Sequence, residues 1–215
     1  ERLTRVLSGS RYIGELMEWI PESVAWLDSD EQLRPRGGHA LQEEARAIQT
    51  RHETVGDAMR AVRALRRREL LRLAFGAILG TLTIDELAQG LTTVSEVTIQ
   101  ATLRAVRREI VAPEDAALDF SVIAMGRFGG AELGFGSDAD VLYVYEANGI
   151  DPQRAHDLAL RLVSGLRSYS EDHRVPFDLG DLARGQPQRP AAGFDVAGQA
   201  DQLADQGLAQ RAQFG

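Results

Sequence analysis

Two aspartates separated by a single residue, Asp138 and Asp140, follow a glycine-rich stretch, Gly126 to Gly136, and precede the apolar run Val141 to Tyr145. At positions i and i+2 where a strand begins, their carboxylates project from one face, with Cα atoms roughly 7 Å apart. Two hard oxygen donors on one face suit Mg2+, which keeps water and substrate phosphate oxygens in its shell instead of an all-protein cage. A bound triphosphate lets two such ions be shared, one activating an attacking hydroxyl and one stabilising the pyrophosphate leaving group. Gly129 and Gly130 lie just upstream, after a strand, where missing side chains let backbone amides approach phosphate oxygens. Ser137 adds a hydroxyl donor for the same phosphates. An isolated D-x-D or Gly-Gly is usually only a turn. Following one buried strand and entering another, the combination is specific and points to metal-dependent nucleotidyl transfer centred on Gly129, Gly130, Ser137, Asp138 and Asp140. Glu132 reads instead as a helix-start or structural residue, because nothing places its carboxylate beside the pair.

The elements that must position these residues fall into three parts. Residues 1–112 read as a helical module, because apolar residues recur at spacings of three and four. Ser10 is a natural N-cap for a helix through Tyr12 and Leu16 that Pro21 ends. A long helix is predicted from about Ala40 to Arg63, another from Arg66 to a Gly80 C-cap, and further helices over Ile84 to Gly90 and Val94 to Ile110. At Pro113 the texture changes. Residues 113–180 hold a strand-length run, Phe120 to Met125, the glycine turn, the β-rich run Val141 to Tyr145, a helical stretch Pro152 to Asp172 and a candidate third strand, Val175 to Leu179. The fold class is therefore α+β: a helical module, then a nucleotidyltransferase-type mixed sheet with flanking helices. Residues 181–215 contain seven of the thirteen glutamines and are expected to be weakly ordered or to form one loose helix.

Composition narrows the function. A formal charge of −8 argues against general attraction to nucleic acid, and no apolar run approaches the length of a bilayer span. No secretory signal is visible, so the cytoplasm is the expected compartment. The absence of cysteine excludes thiolate metal sites and thiol nucleophiles. All 24 basic residues are arginine, which excludes a lysine-based phosphate loop. Arg60, Arg63, Arg66, Arg67, Arg68 and Arg72 read as a basic helix face, solvated and balanced by nearby acids. His39, His52, His156 and His173 lack metal-ligand spacing. Trp19, Trp26 and Tyr12 read as helix-packing residues, and Tyr143 and Tyr145 as strand packing.

The string from Gly126 through Arg127, Phe128, Gly129, Gly130, Ala131, Glu132, Leu133, Gly134, Phe135, Gly136, Ser137, Asp138 and Ala139 to Asp140 closely resembles the signature of the glutamine synthetase adenylyltransferase family, within the DNA polymerase β-like nucleotidyltransferase superfamily. SGSRYIGELM and RRRELLRLAFGAILG look like segments preceding a family catalytic domain, so the likeness covers about Leu3 to Leu179. The resemblance implies Mg2+, two ions with ATP, and transfer of AMP to a tyrosine of glutamine synthetase, with a PII-type signalling protein as a further partner. G-F-G-S-D-x-D looks more like the adenylylating C-terminal copy of the family's two fused units than the copy that removes AMP by phosphorolysis. Superfamily catalysis uses a third carboxylate on a later strand, for which VPFDLGDLARGQPQRP offers Asp178 or Asp181. The Leu-Arg-Pro-x-Gly string expected after it is missing, so the alternatives are adenylyl-removing phosphorolysis by the same type of site and a truncated, non-catalytic module that binds nucleotide or a partner.

Overall fold

The computed structural model describes residues 1–177, residue 179 and the backbone of 210–212. Helices α1 (Arg2–Gly9) and α2 (Arg11–Trp19) are separated by an extended Ser10, with φ −162°. Ser10 stands at the N-cap position, but its side chain makes no capping bond. A 3-10 segment, Pro21–Asp28, leads to the single turn α3 (Asp30–Leu33) and then to α4 (Gly38–Arg51), α5 (Val55–Leu79) and α6 (Ile84–Ile110).

The predicted Ala40–Arg63 helix is broken. The Thr54 hydroxyl accepts from the Asp57 amide at 3.1 Å, which caps a new helix start and leaves His52 and Thr54 extended. From there α5 runs through both segments that the apolar spacing had separated, ending at Gly80, whose φ of +71° is the left-handed conformation that favours glycine. The stretches Ile84 to Gly90 and Val94 to Ile110 are likewise one helix, started by a reciprocal capping box between Thr83 and Glu86.

Phe75, Leu71 and Leu73 of α5 are completely or almost completely buried, and α6 packs along α5 and α4 on one side and α8 (Pro152–Ser170) on the other. Each such side chain contributes about 1.5–3 kcal/mol through burial, so α5 and α6 form the pillar on which the rest assembles. One apolar cluster runs from Val6 to Leu179, drawing on both the helices and the sheet.

Strand β1 (Asp119–Ala124) pairs antiparallel with β2 (Val141–Glu146), Phe120 opposite Tyr145 and Ala124 opposite Val141. Strand β3 (Gln210–Ala212) pairs antiparallel with the other edge of β1, giving the order β2-β1-β3. Alternation sorts β1 and β2: Phe120, Val122, Tyr143 and Tyr145 face the helices, while Ile123 and Val144 form a small separate cluster. The fold is thus α+β and mostly helical. The candidate strand Val175 to Leu179 is not one: residues 175–177 and 179 are irregular, and the third strand comes from the tail. The remaining expectations for 181–215, together with Asp178 and Asp181, lie outside the described residues.

The arginines of α5 are balanced by acids, as read from the sequence, but apart from the exposed Arg60 they are partly or fully buried and do not form a solvated face. Glu69 is 2% exposed and accepts from Arg36, Arg68 and Arg72 at 3.0–3.2 Å, while Glu44 takes a second pair of bonds from Arg68. Arg66 is 7% exposed and donates to the carbonyls of Val175 and Pro176 at 2.9 and 3.2 Å, its guanidinium lying 4.3 Å from the centre of the Phe177 ring. Burial pushes its pKa down to about 10. Arg67 pairs with the buried Asp172 at 2.8 Å, and Arg63 donates to the Tyr169 carbonyl at 2.7 Å. Arg63, Arg66 and Arg67 clasp α5 to the end of α8 and the segment leaving it. Spacing alone concealed it, because these partners are about a hundred residues away.

Among the described residues, no helix is long and apolar enough to cross a membrane.

Candidate active site

Strand β1 delivers the chain to Met125, where it leaves the sheet through a single helical turn, α7 (Gly126–Gly129). The Met125 amide donates to the Asp140 carbonyl at 2.9 Å, extending the β1–β2 ladder by one step and fixing the two ends of the loop against each other. Gly126 has φ +53°, and a Cβ placed there would come within 3.0 Å of Asp140 Oδ2. A side chain at this position would therefore meet the carboxylate directly. Ala131, two residues beyond α7, is also left-handed, with φ +57°, an unusual conformation for a residue with a Cβ and one that concentrates at functional sites.

Asp138 is exposed, Ala139 is 1% exposed in the core and Asp140 is half-buried. Burial of Ala139 thus anchors the short span that carries both acids. The pair lies in the irregular segment immediately before β2, not in the strand itself, which begins at Val141. Among the described residues neither carboxylate accepts a hydrogen bond or forms an ion pair. Two adjacent acids without a counter-cation suit a hard divalent metal, whose charge would balance theirs. Among the described residues, however, no group of three or more potential ligands converges.

Ser137 closes a tight turn: its amide donates to the Gly134 carbonyl at 3.1 Å, and its Oγ accepts from the Gly134 amide at 3.0 Å. The hydroxyl proton stays available for an oxygen acceptor. Gly129 and Gly130 do something different from what their spacing predicts. The Gly129 amide donates to the Met125 carbonyl at 2.9 Å and the Gly130 amide to that of Gly126 at 3.0 Å, so both are spent in closing α7. Ser137 and Asp138 line the same cavity, and Gly126 lies against the Asp140 carboxylate. Glu132 is exposed and lies in irregular chain beyond α7, so it does not start a helix.

A cavity of about 620 Å³ opens beside Ser137 and Asp138. One wall is Phe135 to Asp138, a second is Tyr12, Ile13 and Leu16 of α2 with Ala74 and Ala77 of α5, and a third is Val175 and Pro176. Phe135 is 52% exposed and Tyr12 42% exposed, so Tyr12 is not the packing residue its spacing suggests. Trp19 is 60% exposed as well, under the Arg174 guanidinium at 3.7 Å, whereas Trp26 packs on Phe75. Tyr143 is fully buried and stacked on Phe120, and Tyr145 is buried and hydrogen-bonded to His156. Sequence spacing missed the cavity-lining role of Tyr12 and Phe135 and the apposition of Gly126 to Asp140. The left-handed preference of a glycine directly after a strand is the one local signal pointing to Gly126.

A family model described as glutamate-ammonia ligase adenylyltransferase matches residues 1–171. The chain is 54% identical over 180 residues to a protein of Leifsonia xyli subsp. xyli named bifunctional glutamine synthetase adenylyltransferase/adenylyl-removing enzyme, covering 83% of this chain and 18% of that protein. Proteins of the same name from Cutibacterium acnes and Streptomyces coelicolor are each 39% identical, covering 80% and 78% of this chain and 17% and 18% of theirs. The chain therefore spans less than a fifth of the length of these relatives. With most of its residues within the family model and more than half identical to one relative over that stretch, the chain belongs to the glutamate-ammonia ligase adenylyltransferase family.

Proposed function

We propose that the chain carries a nucleotidyltransferase centre that moves AMP from Mg2+-bound ATP to a tyrosine hydroxyl of glutamine synthetase. The observation that supports this most directly is the pair Asp138 and Asp140, two positions apart in the segment entering β2 and without counter-cations among the described residues, next to the turn that holds Ser137. In this reading the two aspartates hold the metal, Ser137 donates its hydroxyl to the triphosphate, and Gly129 and Gly130 shape the turn that lets the triphosphate approach. Bound Mg2+, as two ions with ATP, would supply charge neutralisation on the triphosphate and lower the pKa of the acceptor hydroxyl. The tyrosine oxygen attacks the α-phosphorus as the bond to the β-phosphate oxygen breaks, releasing pyrophosphate. The phenolic proton passes to a third carboxylate, Asp178 or, failing that, Asp181. The names of the relatives support glutamine synthetase as the acceptor and adenylyl transfer or removal as the chemistry. A PII-type partner and a cytoplasmic setting accompany this proposal.

The test is radiolabelled-AMP transfer to glutamine synthetase by the wild-type chain and by Asp138→Asn combined with Asp140→Asn. Wild-type transfer abolished in the double variant is the expected result; equal transfer by the two refutes the assignment. Phosphate-dependent release of ADP from adenylylated glutamine synthetase would identify the site as the removing one. A second reading, a nucleotide-binding module without turnover, draws on the absence of a third converging ligand among the described residues. Mg·ATP binding without transfer, unchanged in Asp178→Ala and Asp181→Ala, distinguishes it.

A further inference from the structure

We propose that the cavity between α2, α5 and the Phe135–Asp138 loop is the pocket for the nucleoside half of the donor nucleotide, with Phe135 and Tyr12 as its stacking faces. This rests on the reading of Ser137 and Asp138 as the phosphate and metal end of the same site. The cavity begins where that end stops: Ser137 and Asp138 lie on its wall, so a nucleotide whose phosphates lie at these residues projects its sugar and base into the opening.

Its walls determine which half of the nucleotide fits. Asp138 is the one charged side chain among the described lining residues. No arginine is among the described lining residues. Ile13, Leu16, Ala74 and Ile78 supply an apolar lining suited to a neutral heterocycle. At about 620 Å³ the cavity lies within the range of small-molecule and cofactor sites, roughly 300–1,000 Å³. Two of its lining residues, Phe135 and Tyr12, leave their aromatic rings partly exposed. As platforms for a base they have a use, because stacking on an aromatic ring is indifferent to polar edges. The Val175–Pro176 wall is held by Arg66 through both carbonyls, so the pocket has a fixed side as well as an open one.

Separate fragments of the ligand test this independently of the metal assignment. Ligand-observed NMR would follow adenosine and Mg·tripolyphosphate, each alone, on the 215-residue chain. Ala77→Phe fills the cavity from α5, where alanine is partly exposed, and leaves Ser137, Asp138 and Asp140 untouched. Adenosine binding is expected to fall about tenfold in Ala77→Phe and in Phe135→Ala, on the scale of one lost stacking contact, with tripolyphosphate binding unchanged. Asp138→Asn should do the reverse. Adenosine binding absent from the wild type, or equal in wild type and Ala77→Phe, overturns the pocket. So does a parallel loss of both ligands in Ala77→Phe, or intact adenosine binding with a raised KM for the protein acceptor, which would give the cavity to the acceptor. Tripolyphosphate binding that survives Asp138→Asn counts against the metal and phosphate assignment and leaves the adenosine result to decide the pocket.

Discussion

Replacing Gly126 with alanine separates two consequences of one methyl group. At φ +53° the backbone is left-handed, which costs an L-residue about 1–2 kcal/mol. For a chain of this size roughly 2–4 °C of melting temperature accompany each kcal/mol, so a fall of about 2–8 °C is expected. The second consequence is local. The new Cβ would lie 3.0 Å from Asp140 Oδ2, closer than a carbon and an oxygen comfortably sit, so the carboxylate must retreat by a few tenths of an ångström. Retreat of a carboxylate that would hold the metal is expected to weaken Mg·ATP binding about fivefold, scaled from the roughly hundredfold that a misplacement of about 1 Å costs in rate. Gly80→Ala is the matched control: its φ is +71° and nothing lies within 4 Å of its Cβ position, so it carries the strain without the contact. Calorimetric melting and titration with Mg·ATP on both variants provide the readout. Equal Mg·ATP affinity in Gly126→Ala and Gly80→Ala would refute the argument that Gly126 exists to make room for Asp140.

Glu69→Ala removes the buried acceptor shared by Arg36, Arg68 and Arg72, and breaking such a pair costs about 3–5 kcal/mol. Because Glu44 still serves Arg36 and Arg68, the lower end is expected in urea unfolding, and a loss below 1 kcal/mol would contradict the buried network. Glu44 itself is held down to about 2 from its ordinary value by hydrogen bonds from Arg68, then Arg36, against the opposing effect of burial. Its folded pKa being the lower, its contribution is present above about pH 4.5 and lost as pH falls towards 2; Glu44→Gln should flatten stability against pH in that window alone. Arg66→Met deprives the Val175 and Pro176 carbonyls of their donor, and hydrogen exchange is expected to quicken at amides in 172–177 while α6 keeps its protection.

What could be read without coordinates follows from local pattern. The helices of the first half, the two strands around the glycine turn, the Gly80 cap and the α+β class all rest on apolar spacing, turn residues and caps, which act within a few positions of one another. The D-x-D pair and Ser137 could be singled out for the same reason, because they lie within four positions of one another in the sequence. Helix continuity was legible only in part: α4 and α5 divide at Thr54 because a hydroxyl there satisfies the Asp57 amide, while apolar periodicity carries on across the break. Tertiary structure decided the rest. Arg66 and Arg67 are a clasp instead of a solvated face because packing brings the Asp172–Phe177 segment back over α5, a pairing across more than a hundred residues that no local pattern encodes. The same return of the chain assembles the cavity, whose walls come from α2, α5, the Phe135–Asp138 loop and Val175–Pro176. Residue types and spacing determined which groups could bind metal and phosphate. Only the fold, by burying Ala139, tying Met125 to Asp140 and setting α2 and α5 alongside, decided what surrounds them.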